Sequence, residues 1–523
     1  MISPFLGSTT DSGSDQTSVM NPPDDEHRCG WRDRAEALTA EVEDLKARLD
    51  AMERRIFGKK GERMPSKGEE LRKGEPSKRN GAAAQQKRRD NTKAREALEA
   101  RTIEHPVPPE ACACPACGGE ADRQVGDGRP TTVYEYIPPR FERQKHVQQT
   151  LACRCGQHVV TAPPPAKVVD KGQYGPGLVA QIVVARTLDA TPLHRQANQF
   201  LRLGIPINKS QLCGLYHRAA ELTKPIYACI LEEVAAERVV QGDETPLRMH
   251  GTGDGKSRTG YMWTFLNHKH IAYVHSSGRS GEVPVAVLGG TKGVLVVDAY
   301  SGYNAVCTPA SRIRAGCLAH VRRKFFEARG TAETAADEAM ALILEVYRIE
   351  EHARIAGILR APAHRELRRA ESRPAMDRFH AWLLEQKDRW PPKGPLGKAI
   401  AYALNQWDAL CVFLDDEHVP PDNNRSENAL RIIALGRKNW QLVGHEEAGQ
   451  NTAILHTIVA NCVLADVNPQ EYLADVLIRV QSHPANRIAE LTPERWKAAR
   501  AAVKSGNSGG FDPEILAGSD RVS

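Results

Sequence analysis

Three acidic residues stand on separated segments that could aim them at one point. Asp243 follows the apolar run Arg238-Val-Val-Gln-Gly, and Asp298 closes Gly293-Val-Leu-Val-Val. Glu427 falls in the first turn of the helical stretch from Pro421 to Trp440. The separations are 298 − 243 = 55 and 427 − 298 = 129 residues. Taken singly, an Asp after a strand is a turn former, and a Glu at a helix start complements the helix dipole. Taken together, three carboxylates are what two hard divalent cations need, because Mg²⁺ takes oxygen ligands and keeps waters. Such a pair activates a water or a 3′-hydroxyl and stabilises the leaving oxygen of an in-line phosphoryl displacement. Glu244 adjoins Asp243, but on a strand its side chain points to the opposite face, so it is left out of the metal set.

A second set is built from sulfur. Cys114-Pro-Ala-Cys117-Gly-Gly is followed by Cys153-Arg-Cys155-Gly, with strand-like residues 131–137 between them. Two cysteine pairs, each followed by glycine, read as a four-thiolate zinc ribbon with Cys114, Cys117, Cys153 and Cys155 as ligands, against unliganded thiols. The second spacer is one residue short of the usual two, which leaves Cys112 or His158 as a substitute ligand.

The acidic residues need rigid supports, and the sequence supplies candidates. Residues 238–243 and 293–298 read as buried strands ending in Asp, where α/β sheets place chemistry. Residues 260–275 alternate as a hairpin with a polar turn around 267–269. Pro421 to Asn424 read as the opening of a helix, with Leu430, Ile433 and Ala434 on its buried stripe and Arg431, Arg437 and Lys438 following along it. Residues 170–236 read as three or four helices broken at Thr191-Pro192, Gly204-Ile205-Pro206 and Lys224-Pro225. The turn at 204–209, with Ser210 as the next cap, fits either a helix-turn-helix reader or a plain helical subdomain packed on the core.

The chain has 523 residues and 12 cysteines, so several domains and no disulfide scaffold are expected. It has no apolar run of about 18 residues and no basic-then-apolar leader pattern, so neither a membrane span nor export is expected, and the place is the cytoplasm, on DNA. Residues 1–30 and 501–523 have disordered composition. In 31–57 Ala35, Leu38, Val42, Leu45, Leu49, Met52 and Ile56 alternate by three and four. That is a short coiled-coil seam for self-association, or a single helix packed on its own protein. Residues 54–101 hold 16 Lys/Arg against 7 Asp/Glu, an excess of +9 when the whole chain carries +6. The basic linker, 58–105, therefore points to a polyanion, with nucleic acid as the partner.

IFGKKGER after the heptads, CPACGG, PLHRQ, GDETP, VVDAYSGYN, GCLAHVRRKFFEA, DNNRSENALRIIALGRKNW and NPQEYLADVLIRVQSHPANRIAEL together resemble transposases of the insertion-sequence-66 family, over roughly residues 35 to 500. The resemblance implies an α/β RNase H-like core over 237–460, with Asp243, Asp298 and Glu427 as its carboxylate triad and a helical insertion at about 333–415. It implies a zinc ribbon over 106–165, a helical DNA-binding region over 170–236 and a C-terminal helical segment over 461–500. It also implies dependence on Mg²⁺ (or Mn²⁺) and action at the terminal inverted repeats of a mobile element and at target DNA; a homo-oligomer is expected through the heptad segment, and companion proteins of the same element are candidate partners. Arg322, Arg323 and Lys324, with Arg431, Arg437 and Lys438, become candidate contacts to DNA phosphate. Cys317 and His320 fit a metal pair or helix packing. Tyr300 and Tyr303 are candidates to line the cleft. Trp440 fits base stacking or burial. Beside the active transposase, two alternatives stay open: a non-catalytic DNA-binding protein on the same scaffold, and a domesticated site-specific nuclease.

Overall fold

In the computed structural model the described residues are 139–152, 159–251 and 256–504, with isolated helical positions between 85 and 96. The cysteine pairs, the heptad segment and nearly all of the basic linker lie outside them. A short antiparallel pair, β1 (Thr150–Ala152) and β2 (Val159–Thr161), comes first. Three helices follow, α1 (Pro176–Thr187), α2 (Leu193–Arg202) and α3 (Lys209–Ala236). The main sheet has five strands: β3 (Val239–His250), β4 (Ser257–Leu266), β5 (Ile271–Ser276), β6 (Gly293–Val296) and β7 (Arg312–Ala315). Their order is β5-β4-β3-β6-β7. The first three form an antiparallel meander, and β6 and β7 run parallel to β3. This is a mixed α/β core, with α4 (Glu282–Leu288) between β5 and β6.

β3 is the centre, and its alternation divides the protein. Successive side chains of a strand point to opposite faces. Val240 joins Trp263, Phe265, Leu295 and Tyr303 in one cluster, backed by Val234 of α3 and by α4. The other face meets two separate clusters. Val294 and Val296 pack against α5 (Leu318–Ala328) and the long helical segment that follows. Leu247, Met249 and Met262 pack against α11 (Asn424–Trp440) and α12 (Glu446–Leu464). Asp243 therefore falls on the helix-covered face, between a helical layer and a late helix.

The segment between α5 and α11 holds α6 (Glu333–Ile355), α7 (Pro362–Leu367), a π turn at Arg368–Ser372, α8 (Arg373–Lys387), α9 (Pro395–Asn405) and α10 (Trp407–Cys411). It is pinned by Arg368, which is 1% exposed. The guanidinium donates to both carboxylate oxygens of Glu350 at 2.7 Å. It also donates to the carbonyls of Phe413, Asp416 and Val419 at 2.8–2.9 Å. All the polar capacity of a buried charge is thereby used. After α12 come α13 (Pro469–Arg479) and α14 (Pro493–Lys504). Ile454, Leu455, Ile458, Tyr472, Leu473 and Trp496 share one core with α1, α2 and α3. The early and late helical segments, separate in sequence, thus form a single body. No helix among the described residues is long and apolar enough to cross a membrane.

Three local expectations are corrected. Pro225 does not end a helix, because α3 runs through it. The lost backbone bond costs about 3 kcal/mol, and burial of Ile226, Ile230 and Val234 beyond it keeps the helix going. Ser210 is not the cap. Asn208 accepts from Gln211 N at 2.9 Å, and Gln211 Oε1 accepts from Asn208 N at 3.0 Å, a reciprocal capping box. Asp243 does not end its strand, because β3 continues to His250. Pro246 is tolerated there because β6 pairs only with Val239–Gln241, leaving that half of β3 bonded on one side.

Replacing Arg368 by Met should cost about 3–5 kcal/mol by leaving the half-buried Glu350 with His364, 3.3 Å away, in place of the guanidinium. The double change with Glu350→Leu should recover most of this. Urea denaturation of the three proteins checks both.

Candidate active site

The three acidic groups arrive on β3, just past β6, and on the first turn of α11. Asp243 Oδ1 accepts from Glu244 N at 2.9 Å. Burial, then the negative charges of Glu244, Asp298 and Glu427, push the Asp243 carboxyl up to about 7. Asp298 Oδ1 accepts from Tyr300 N at 2.9 Å, which fixes the turn after β6. Arg314 donates to the carbonyls of Asp298 and Tyr300 at 3.1 and 3.0 Å and holds the same turn from β7.

Glu427 is held from α5. Arg323 donates to Glu427 Oε2 at 3.0 Å, and His320 Nδ1 lies 3.7 Å from Oε1. That second distance is too long for a hydrogen bond, and Glu427 Oε1 is buried without a partner. Among the described residues, the one trio whose ligand atoms all lie within 4.8 Å of one another is Asp416, Glu417 and His418. The carboxylates of that trio are engaged by arginines, Arg238 on Asp416 at 2.9 Å and Arg365 on Glu417 at 3.5 Å, so it is an ion-pair network. Asp243, Asp298 and Glu427 share one electrostatic neighbourhood but are not drawn up to that spacing. Arg323 holds Glu427, and mutual repulsion of the acids opposes closure.

Glu244 serves the other face of the sheet. Its carboxylate accepts from Tyr303 Oη at 2.6 Å and from Arg279 Nε at 2.8 Å. The Arg279 guanidinium lies 3.9 Å from the Tyr300 ring centroid, and Tyr300 Oη donates to the Arg279 carbonyl. Tyr303 is fully buried, so it does not line the cleft. It ties the Asp298 loop to β3. Sequence reading missed Arg279, for a Gly-Arg-Ser turn carries no signal of a partner 35 residues away.

The other candidates sort by what they touch. Cys317 is 2% exposed, caps α5 and accepts from Asn423 N at 3.4 Å. Burial pushes its thiol up to about 12, so it is a packing group and not half of a metal pair. Trp440 is buried among Leu430 and Ile433, closed to a stacking base. Ala434 is only half-buried. Of the six basic residues, Arg322, Arg431 and Lys438 are exposed. Arg323 faces Glu427, Lys324 lies 4.5 Å from the Tyr402 ring centroid, and Arg437 donates to Thr245 Oγ1 at 2.9 Å. These three have partners inside the protein, an acidic, an aromatic and a strand neighbour respectively. Cys114, Cys117, Cys153 and Cys155 lie outside the described residues.

The donor set fits a hard divalent cation. It offers carboxylate oxygens, one of them without a partner, around an Asp whose ionisation is disfavoured by burial and then by its negative neighbours. With the Asp243 carboxyl raised, its contribution to stability is full below the unfolded value near 4 and is lost as pH rises through about 7. Asp243→Asn, with no charge to bury, should therefore be more stable than the wild type at about pH 8, and the gain should shrink toward zero by about pH 4. Thermal melts in EDTA across that range measure it.

Three stretches of the chain match known families. Residues 171–451 match the transposase IS66 family, 457–493 the IS66 C-terminal element, and 111–156 the zinc-finger binding domain of transposase IS66. The chain is similar to two uncharacterized proteins of Sinorhizobium fredii (strain NBRC 101917 / NGR234). One, y4hP, is 32% identical over 422 residues, which cover 76% of this chain and 75% of that protein. The other, y4jD, is 31% identical over 411 residues, covering 75% and 80%. With more than half of its length inside one family match, the chain belongs to the transposase IS66 family.

Proposed function

We propose that the protein is a metal-dependent DNA transposase with an RNase H-like core, which cleaves DNA at the ends of its element and joins the 3′ ends to a target. The observation that carries this reading is the convergence of charge at Asp243. An aspartate whose acidity is weakened by burial and then by the charges of Glu244, Asp298 and Glu427 is a group that awaits a cation. The sheet order supports it, with an antiparallel meander of three strands continued by two parallel ones.

In this reading Asp243, Asp298 and Glu427 hold Mg²⁺ or Mn²⁺. When bound, such cations lower the barrier to attack and stabilise the leaving oxygen. The protein's own part is positional. Arg323 keeps Glu427 off Asp243 in the free state, and on loading it exchanges the carboxylate for a phosphate oxygen of the DNA. Tyr300 N and Arg314 keep Asp298 in place. The attacking water or 3′-hydroxyl gives up its proton to solvent, the new phosphorus–oxygen bond forms, the opposite one breaks, and the leaving 3′-oxygen takes a proton from solvent. The zinc ribbon and the basic linker bind the terminal repeats, and the heptad segment pairs copies of the chain.

On a labelled duplex carrying the element's ends, with Mg²⁺, Asp243→Asn and Glu427→Gln should each cut roughly a hundred- to a thousandfold more slowly and still bind. Undiminished cutting by either variant removes that residue from the mechanism. Binding without cutting by the wild type, with Mg²⁺ or Mn²⁺ and host-cell extract, selects the non-catalytic DNA-binding protein instead. Metal analysis of the full chain should find about one zinc per chain, lost on Cys114→Ser.

A further inference from the structure

A cavity of about 470 Å³ opens between the start of β3, the β4–β5 turn and the helical segment. Gln241 and Val239 line it. On a strand they share a face with Asp243. Asn423, fully buried, donates to the Gly242 carbonyl at 3.4 Å. That bond falls between Gln241 and Asp243, so the cavity lies beside the carboxylates along the same strand.

Its polar groups divide into satisfied and unsatisfied ones. Arg368 is matched by Glu350, Arg238 by Asp416, and Glu417 by Arg365. Arg360 and Arg425 also line the cavity, and among the described residues neither has a carboxylate partner. Both side chains line this one cavity, Arg425 half-buried and Arg360 exposed, and burial and then the charge of Arg360 make the Arg425 guanidinium easier to deprotonate. His268 is held low by burial and then by Arg360, with Lys269 and Arg425 adding to it. Like charges gathered without an ion-pair partner are unfavourable, even with the Glu237 carboxylate elsewhere in the lining, and guanidinium forks match phosphate oxygens. The second unsatisfied group is Gln241, 5% exposed, whose Oε1 has no hydrogen-bond partner. Such an acceptor awaits a donor. Leu359, Val419 and Pro420 give the cavity an apolar side, and its volume is that of a small-ligand site.

We propose that this cavity binds one nucleotide of a DNA strand next to the reacting phosphate. The phosphate lies on Arg360 and Arg425, the base lies on the apolar side, and a base N–H donates to Gln241 Oε1. The choice of DNA as the polyanion rests on the transposase reading. The same chemistry would accept a free nucleotide, and the test separates the two.

Full-length protein in EDTA is titrated into a labelled single-stranded oligonucleotide at several salt concentrations. The variant is Arg360→Asn with Arg425→Gln. Asn suits position 360, where φ is +63°. The control, Arg354→Gln with Arg369→Gln, removes the same charge from exposed arginines outside the cavity, paired with Glu351 and Glu366. The expected result is weaker binding by the first variant, with a log–log salt slope shallower by roughly 0.7 for each phosphate no longer neutralised. The control should keep the wild-type slope, and both should keep the wild-type melting temperature. Equal slopes in all three proteins, or equal losses in both variants, overturn the proposal. Saturable binding of dAMP that is abolished in the first variant, with the DNA slope unchanged, overturns it in favour of a free nucleotide. Gln241→Leu should weaken binding of the oligonucleotide and leave an abasic oligonucleotide unaffected, and equal effects on both overturn the assigned base contact. Because EDTA removes divalent metal, the outcome does not depend on whether the three carboxylates catalyse cleavage.

Discussion

The protein depends on the two-residue period of β3. One strand in the middle of the sheet sends Val240, Gly242 and Glu244 to one side and Val239, Gln241, Asp243, Leu247 and Met249 to the other. The first side is closed by a tyrosine-rich loop that grips Glu244. The second meets two helical bodies with a gap between them, and the aspartate stands at the gap. A register slip of one residue would exchange the faces. It would put Glu244 at the gap and press Asp243 against Tyr303. Ten paired positions with β4 and three with β6 hold the register against that error.

The three acids are not held alike. Arg323 on α5 neutralises Glu427, while Asp243 is left in an environment that disfavours its charge. The fold thus stores electrostatic repulsion at one place and offsets it elsewhere with buried, fully bonded arginines. Arg312 is one of these. It is fully buried and donates to the carbonyls of Ala235 and Glu237 at 2.7 and 3.0 Å and to Thr291 Oγ1 at 2.8 Å. Together with Arg368 it fixes the layers so that the repulsion cannot relax by their separation.

Much of this was legible in the sequence because it is local. The apolar runs before Asp243 and Asp298 gave strands, the 260–275 alternation gave a hairpin, and the Asp422-Asn-Asn-Arg-Ser-Glu run gave a helix start. What was not legible is long-range. Pro225 reads as a break until the core that buries Ile226 and Ile230 is known. Arg323 reads as a phosphate contact until α11 is seen to bring Glu427 across 104 residues. Arg360 and Arg425, 65 residues apart (425 − 360), share no pattern and meet only through the fold.

The core that α1, α2 and α3 share with Ile454 to Trp496 has a consequence for synthesis. The early helices emerge from the ribosome long before the residues that cover their apolar faces. They must wait, exposed, while the sheet and the helical segment are made. Folding of this body is therefore set by the last part of the message. A shortened product ending before about residue 490 leaves that surface open to aggregation and proteolysis. A gene cut short would thus yield fragments that are cleared before they accumulate.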